Sequence, residues 1–197
     1  MISKILPVAL LLALYLNAVS AASTYKEKDH ALVARRLVHQ TNWAAISTIS
    51  THRKLKDYPM VQILSINDND AQKKSTGRIQ FLLTNLDFTG KDVKQNNKVS
   101  LLFNDEQLLH CSEQNLDPME PTCARTIISG EVKKMDESQK GYQEALASFV
   151  ERHPAAQKWL DKHNFYLCEL EITNIFVLDF YGGAHNIKPE DYYKVTL

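Results

Sequence analysis

Seven histidines and three cysteines are the side chains with chemistry to offer in this 197-residue chain. Cys111 and Cys123 bracket the polar stretch CSEQNLDPMEPTC, and Cys168 stands apart. In an oxidising compartment an odd count reads as one pair plus a spare thiol. Closing the short loop between Cys111 and Cys123 contributes on the order of 3 kcal/mol when the geometry is unstrained. Cys168 falls in phase with Tyr166, Leu170 and Ile172 in a strand-like run, so it reads as a buried, inert thiol. There is no Cys-x-x-Cys and no run of clustered histidines, so no metal site is expected. There is no Gly-x-Ser-x-Gly, and Cys168 has no base beside it in sequence, so no catalytic residue is expected either.

The elements that must position these groups begin after a leader. Lys4, the apolar run Ile5 to Leu16, and small residues at Val19 and Ala21 have the order of a secretory signal peptide cleaved after Ala21. The remainder, residues 22–197, is expected to form a single domain with no membrane insertion. Its lysines and arginines nearly balance its acids, so there is no basic footprint for nucleic acid or an anionic membrane. The pairs Arg35–Arg36 and Lys133–Lys134 read as solvated faces.

Residues 30–41 have helical periodicity, with Val33, Ala34, Leu37 and Val38 on one face. Apolar runs at 43–50, 60–66, 79–84 and 99–103 read as strands, with 68–77 an exposed loop. A helix is expected over 86–96, weakened by Gly90. A strand is expected over 126–135, with Gly130 marking a bulge or a close approach. A helix is expected over 138–152, with Asp136 and Gln139 at capping-box spacing and Pro154 stopping it. The run FYLCELEITNIFVLDFY (165–181) reads as a long strand, buried on both faces from Ile175 to Phe180. Short strands without regular βαβ alternation point to a mainly β protein with peripheral helices, α+β, built on an antiparallel sheet or barrel.

The stretches RRLVHQTNWAAISTIS (35–50), MVQILSIND (60–68), ERHP…HN (151–164), NIFVLDFYGG (174–183) and PEDYY (189–193) together resemble the CREG family of secreted cellular-repressor glycoproteins. The Cys111–Cys123 spacing also resembles the single disulfide of that family. The resemblance implies an antiparallel split β-barrel of the kind found in FMN-binding oxidoreductases related to pyridoxamine-phosphate oxidase. It implies a homodimer, secreted or delivered to the endosome and lysosome lumen, linked to lysosome function and to growth and differentiation control. It implies no enzymatic activity and no cofactor, since family loops block the flavin pocket. The partner implied is an unidentified cell-surface or lysosomal receptor. The chain departs from the family in one respect. No Asn stands in an Asn-x-Ser/Thr context; Glu171 and Lys194 occupy the places of the family's acceptors. Sorting is therefore expected to be protein-mediated rather than glycan-dependent.

Three sets of residues follow from the resemblance. Arg78, Thr84, Lys91 and Lys98 are the candidates for a vestigial FMN phosphate site, with FMN the alternative cofactor. Phe176, Phe180 and Tyr181 are candidates for the dimer interface or the barrel core. His153 and His163 are candidates for pH sensing, because a histidine with an ordinary pKa of about 6.5 is charged near pH 5.

Overall fold

The computed structural model describes residues 29–197; the signal-peptide reading over 1–21 lies outside them. The elements run α1 (His30–Gln40), β1 (Trp43–Ile49), β2 (Pro59–Asn69), β3 (Ser75–Leu83), α2 (Phe88–Gln95), β4 (Lys98–Asn104), α3 (His110–Glu113) and β5 (Arg125–Lys134). They continue with α4 (Tyr142–Arg152), α5 (Ala156–His163), β6 (Tyr166–Leu178), β7 (His185–Ile187) and α6 (Pro189–Lys194).

Alternation of burial makes β1, β4 and β5 two-faced. Ala44, Ile46 and Thr48 of β1 point inward while their neighbours point out. All pairings are antiparallel, in the order β3-β2-β1-β4-β5-β6, and β3 returns to pair with β6. That last pairing closes a six-stranded barrel, which removes the sheet edges. The long β6 divides one edge between two partners: Tyr166 to Glu169 face β3, while Ile175 to Val177 face β7. Ile46, Ile66, Phe81, Leu101, Phe103 and Ile128 fill the interior, fully buried. Helix α1 packs against β2, β3, β4, β5 and β6 together, so it lies across one mouth of the barrel. Asp29 caps it by accepting from the Leu32 amide at 3.0 Å. Phe149 of α4 and Ala156 of α5 bury Leu82 and Leu167 on the outer side of the wall.

The structure corrects several expectations. Arg35 is not solvated but 1% exposed, because a helix across a barrel mouth buries more than one of its faces. Arg36 forms a forked pair with Asp105, both contacts at 2.9 Å. The loop at 68–77 shrinks, since β2 continues to Asn69 and β3 begins at Ser75. Helix α4 starts at Tyr142 rather than 138. The Asp136 carboxylate folds onto Ser138 instead, and Gly141, with φ of 93°, resets the chain direction. Gly90 does not weaken α2. A Cβ there would stand 2.1 Å from the Thr84 carbonyl oxygen, so glycine is what lets the helix approach β3. The expected bulge at Gly130 is present, as a register shift between Ser129 and Gly130.

Candidate functional site

The outer wall of the barrel carries the feature least expected of a solvated sheet. Register places Ile63 of β2 opposite Ala45 of β1, and Ala45 opposite Leu102 of β4. Leu102 stands opposite Ile127 of β5, and Ile127 opposite Phe176 of β6. One apolar row therefore crosses five strands, about 19 Å wide at the usual strand spacing. Its large members are exposed: Ile63 by 64%, Leu102 by 39%, Ile127 by 42% and Phe176 by 42%. The next row is flat and small, with Ser47, Ser100 and Ser129 in register and the last two hydrogen-bonded at 2.8 Å. An outward barrel row ordinarily reads polar.

Phe176 thus leaves the core. The expected two-sided burial of 175–180 is replaced by alternation: Ile175 and Val177 point in, Phe176 points out. Beyond β6, Phe180 and Tyr181 are exposed too. Their rings meet edge to face, and the Tyr181 hydroxyl donates to Glu120 at 3.1 Å. The structure excludes the core alternative for all three residues.

The four phosphate candidates do not converge on one point. Arg78 Nε donates to Glu169 at 2.9 Å, near the start of β3. Thr84 lies roughly 20 Å further along the strand direction. Its hydroxyl is buried and donates to the His163 carbonyl at 2.8 Å. Lys91 lines an open groove of about 720 Å³ with Lys56, Lys94, Ser50 and Thr51. Lys98 lines a neighbouring groove of about 580 Å³. Lys56 and Lys94 were missed from sequence, although Lys94 follows Lys91 at helical spacing. Buried Asp92 ties the wall of this groove together, accepting from the Thr51 amide and hydroxyl, both at 2.7 Å, and from Thr48 at 3.1 Å.

Against known proteins, the family described as CREG, beta-barrel, matches residues 25–194. The chain belongs to the CREG family. Human Protein CREG1 is 34% identical over 170 residues, spanning 86% of this chain and 76% of that one. In fold, this CREG chain matches the heme binding protein from Mycobacterium smegmatis with a TM-score of 0.65, at 15% identity, over 85% of this chain and 61% of that one. It also matches a Clostridium acetobutylicum protein of the pyridoxinephosphate oxidase family, related to general stress protein 26. There the TM-score is 0.55 at 12% identity, over 84% of this chain and all of that one. The CREG chain is therefore an antiparallel split barrel, like that of FMN-binding proteins.

The CREG disulfide joins Cys111 to Cys123 across the loop beside Glu120. Cys168 is buried, and burial pushes its thiol up to about 12, so it stays protonated and inert. The two histidine candidates fare differently. His163 is exposed at the end of α5. His153 is half-buried; its Nε2 donates to the Ile66 carbonyl at 2.8 Å, and its ring packs on Phe149. Burial lowers its pKa, the Ile66 bond opposes that, and neighbouring Arg152 adds to the lowering. His153 is therefore not the readily charged surface group expected. It resists protonation that the unfolded chain accepts below about pH 6.5. Its stabilising share is complete above that pH and is lost as pH falls toward its folded value. The urea midpoint of the protein is expected to fall between pH 7 and 5, and His153→Gln, which keeps a donor for Ile66, to shrink that fall. An equal fall in the variant would remove His153 from the account.

Sequence reasoning missed the polar cluster behind His153. Asp68, fully buried, accepts from Arg152 at 3.2 Å and from the Ser75 hydroxyl at 2.6 Å, and pairs with His39 at 2.9 Å. The acid is in strand β2, the arginine in α4 and the histidine in α1, so no spacing signal links them.

Proposed function

We propose that this CREG protein is a secreted or endolysosomal binding protein that works as a homodimer and has no enzymatic activity of its own. Its role lies in lysosome function and in the control of growth and differentiation, through an unidentified cell-surface or lysosomal receptor. The apolar row Ile63–Ala45–Leu102–Ile127–Phe176 carries the reading. A second copy of the same chain is the occupant that suits it. A row that is flat, regular and uncharged is self-complementary under a two-fold axis, and depletion of charge at the core marks such interfaces. Sedimentation velocity of the purified chain tests it: a dimer at micromolar concentration supports the reading, and a monomer at that concentration removes it.

The second reading, a flavin-dependent oxidoreductase, has one observation in its favour. Lys56, Lys91 and Lys94 share a groove with Ser50, Asn85 and Gln95, beside Asp57, and three ammonium groups are chemistry suited to a phosphate. Arg78, Thr84 and Lys98 lie outside that groove. The expected result is a colourless protein and no quenching of FMN fluorescence at micromolar concentrations. Bound flavin, or quenching abolished by Lys91→Ala, would turn the reading to the oxidoreductase.

A further inference from the structure

His30, near one end of the described chain, meets Asp179 and His185, near the other, at one end of the barrel. His30 opens α1, Asp179 follows the end of β6, and His185 opens β7. His30 Nδ1 stands 3.1 Å from Asp179 Oδ2. The rings of His30 and His185 stack, with centroids 3.6 Å apart and planes 13° apart. One donor atom from each of the three residues lies within 4.8 Å of the other two. The Asp179 side chain is buried, His30 is 18% exposed, and His185 faces solvent.

Regular structure holds the set in place. His30 sits in the first turn of an eleven-residue helix docked across the barrel mouth. His185 pairs with Val177 in the β6–β7 ladder. Between Asp179 and His185 the chain reverses through Gly182 and Gly183, whose φ values of 111° and 103° favour glycine. The turn thereby brings acid and imidazole to the same place.

The geometry points to a binding site for a first-row divalent transition ion of the zinc class, held by two imidazoles and one carboxylate. Imidazole nitrogen and carboxylate oxygen are the donors such ions take, and two histidines with one acid are a common set of three. Around zinc, bonds of about 2.0–2.1 Å in a tetrahedron put neighbouring donors roughly 3.3 Å apart. The His30–Asp179 separation is already close to that. Only the His185 donor has to close in, by about 1.5 Å at most, and its solvent-exposed ring can turn to do so by leaving its stack on His30. One bound cation would take both rings as neutral ligands. The open side faces solvent and leaves a fourth position for water. An ion here would tie the start of α1 to the turn that carries Phe180 and Tyr181. The separation of 149 residues between His30 and Asp179 hides the set from any reading of spacing.

The test uses the untagged protein freed of metal by chelator and then titrated with Co²⁺. Visible absorption bands are expected to saturate at one equivalent and to vanish on adding Zn²⁺. His30→Ala and His185→Ala are each expected to weaken binding at least tenfold, while His163→Ala leaves it unchanged. Zn²⁺ is expected to raise the melting temperature of the parent and not of His185→Ala. No saturable binding below about 100 μM, or affinity unaltered in the two variants, overturns the site. Should His30→Ala not fold, His185→Ala decides alone, because the replaced ring is exposed.

Discussion

Arg35→Ala is expected to destabilise the protein by about 3–5 kcal/mol, the usual penalty for removing one member of a buried ionic or hydrogen-bonded set. The guanidinium reaches the Tyr192 and Val195 carbonyls at 3.2 and 2.9 Å, and the Ser75 carbonyl and hydroxyl at 3.0 and 2.8 Å. It also lies over the Tyr192 ring, 5.2 Å from the centroid. Those contacts fasten α6 to the start of β3 through one side chain of α1. Alanine removes the guanidinium donors from the part-buried Val195 and Ser75 carbonyls, leaves the Tyr192 carbonyl with the Val195 amide alone, and opens a cavity beside Tyr192. Arg35→Lys is expected to recover little, since a single ammonium cannot fork to both sides. Urea unfolding measures the loss. Limited trypsin digestion adds a local readout: Lys188 and Lys194 are already exposed, but protease needs a freed backbone, which undocking of α6 supplies. Gly77→Ala should reproduce the local effect more weakly. Its Cβ would meet the guanidinium at 2.9 Å, and its φ of 75° disfavours a side chain by about 1–2 kcal/mol. Wild-type stability in Arg35→Ala would show that the fork is incidental.

This arginine also marks where reading the sequence stopped. Helical periodicity located α1 and its apolar face, since Val33, Ala34, Leu37 and Val38 are buried as expected. Periodicity assumes one dry face and one wet face, and Arg35 violates it because the helix spans the barrel mouth. The strands were legible because inward residues alternate in β1, β4 and β5, and the bulge at Gly130 was legible because glycine there interrupts a β-branched run. Helix α5 was not. AQKWLDKH is short, has no side-chain cap, and lies between Pro154 and a strand. The Cys111–Cys123 disulfide was legible because those cysteines bracket a polar loop, Cys168 lies in strand phase, and the spacing resembles that of the CREG family. The Asp68 cluster was not, because it is assembled by topology from three elements. The end of β6 was misread for an informative reason. Where both faces of a strand are apolar, the sequence looks like two-sided burial, yet one chain buries only one of them. Phe176 is the residue at which that ambiguity becomes visible.

If a second copy covers the outer row, Leu102→Asp is expected to abolish dimerisation, raising the dissociation constant by at least about a thousandfold. Leu102 lies in the middle of the row, between Ala45 and Ile127. Under two-fold symmetry each substitution enters the interface twice. Two carboxylates would then have to be desolvated without partners, each at a cost of several kcal/mol. The folded monomer should hardly notice the change. The Leu102 side chain points away from the barrel interior, and exposed substitutions of this kind ordinarily stay within about 0.5 kcal/mol. Sedimentation velocity is expected to show a dimer for the parent and a monomer for Leu102→Asp, the variant still unfolding in one cooperative thermal transition, below that of the parent because the dimer contact is lost. Phe176→Asp, at the β6 end of the row, should weaken the dimer as well, and Ile63→Asp at the β2 end should weaken it less than the central substitution. A hydrophobic interface centred on the row predicts that gradient. Dimers that survive all three substitutions would place the contact elsewhere and leave the row without a partner.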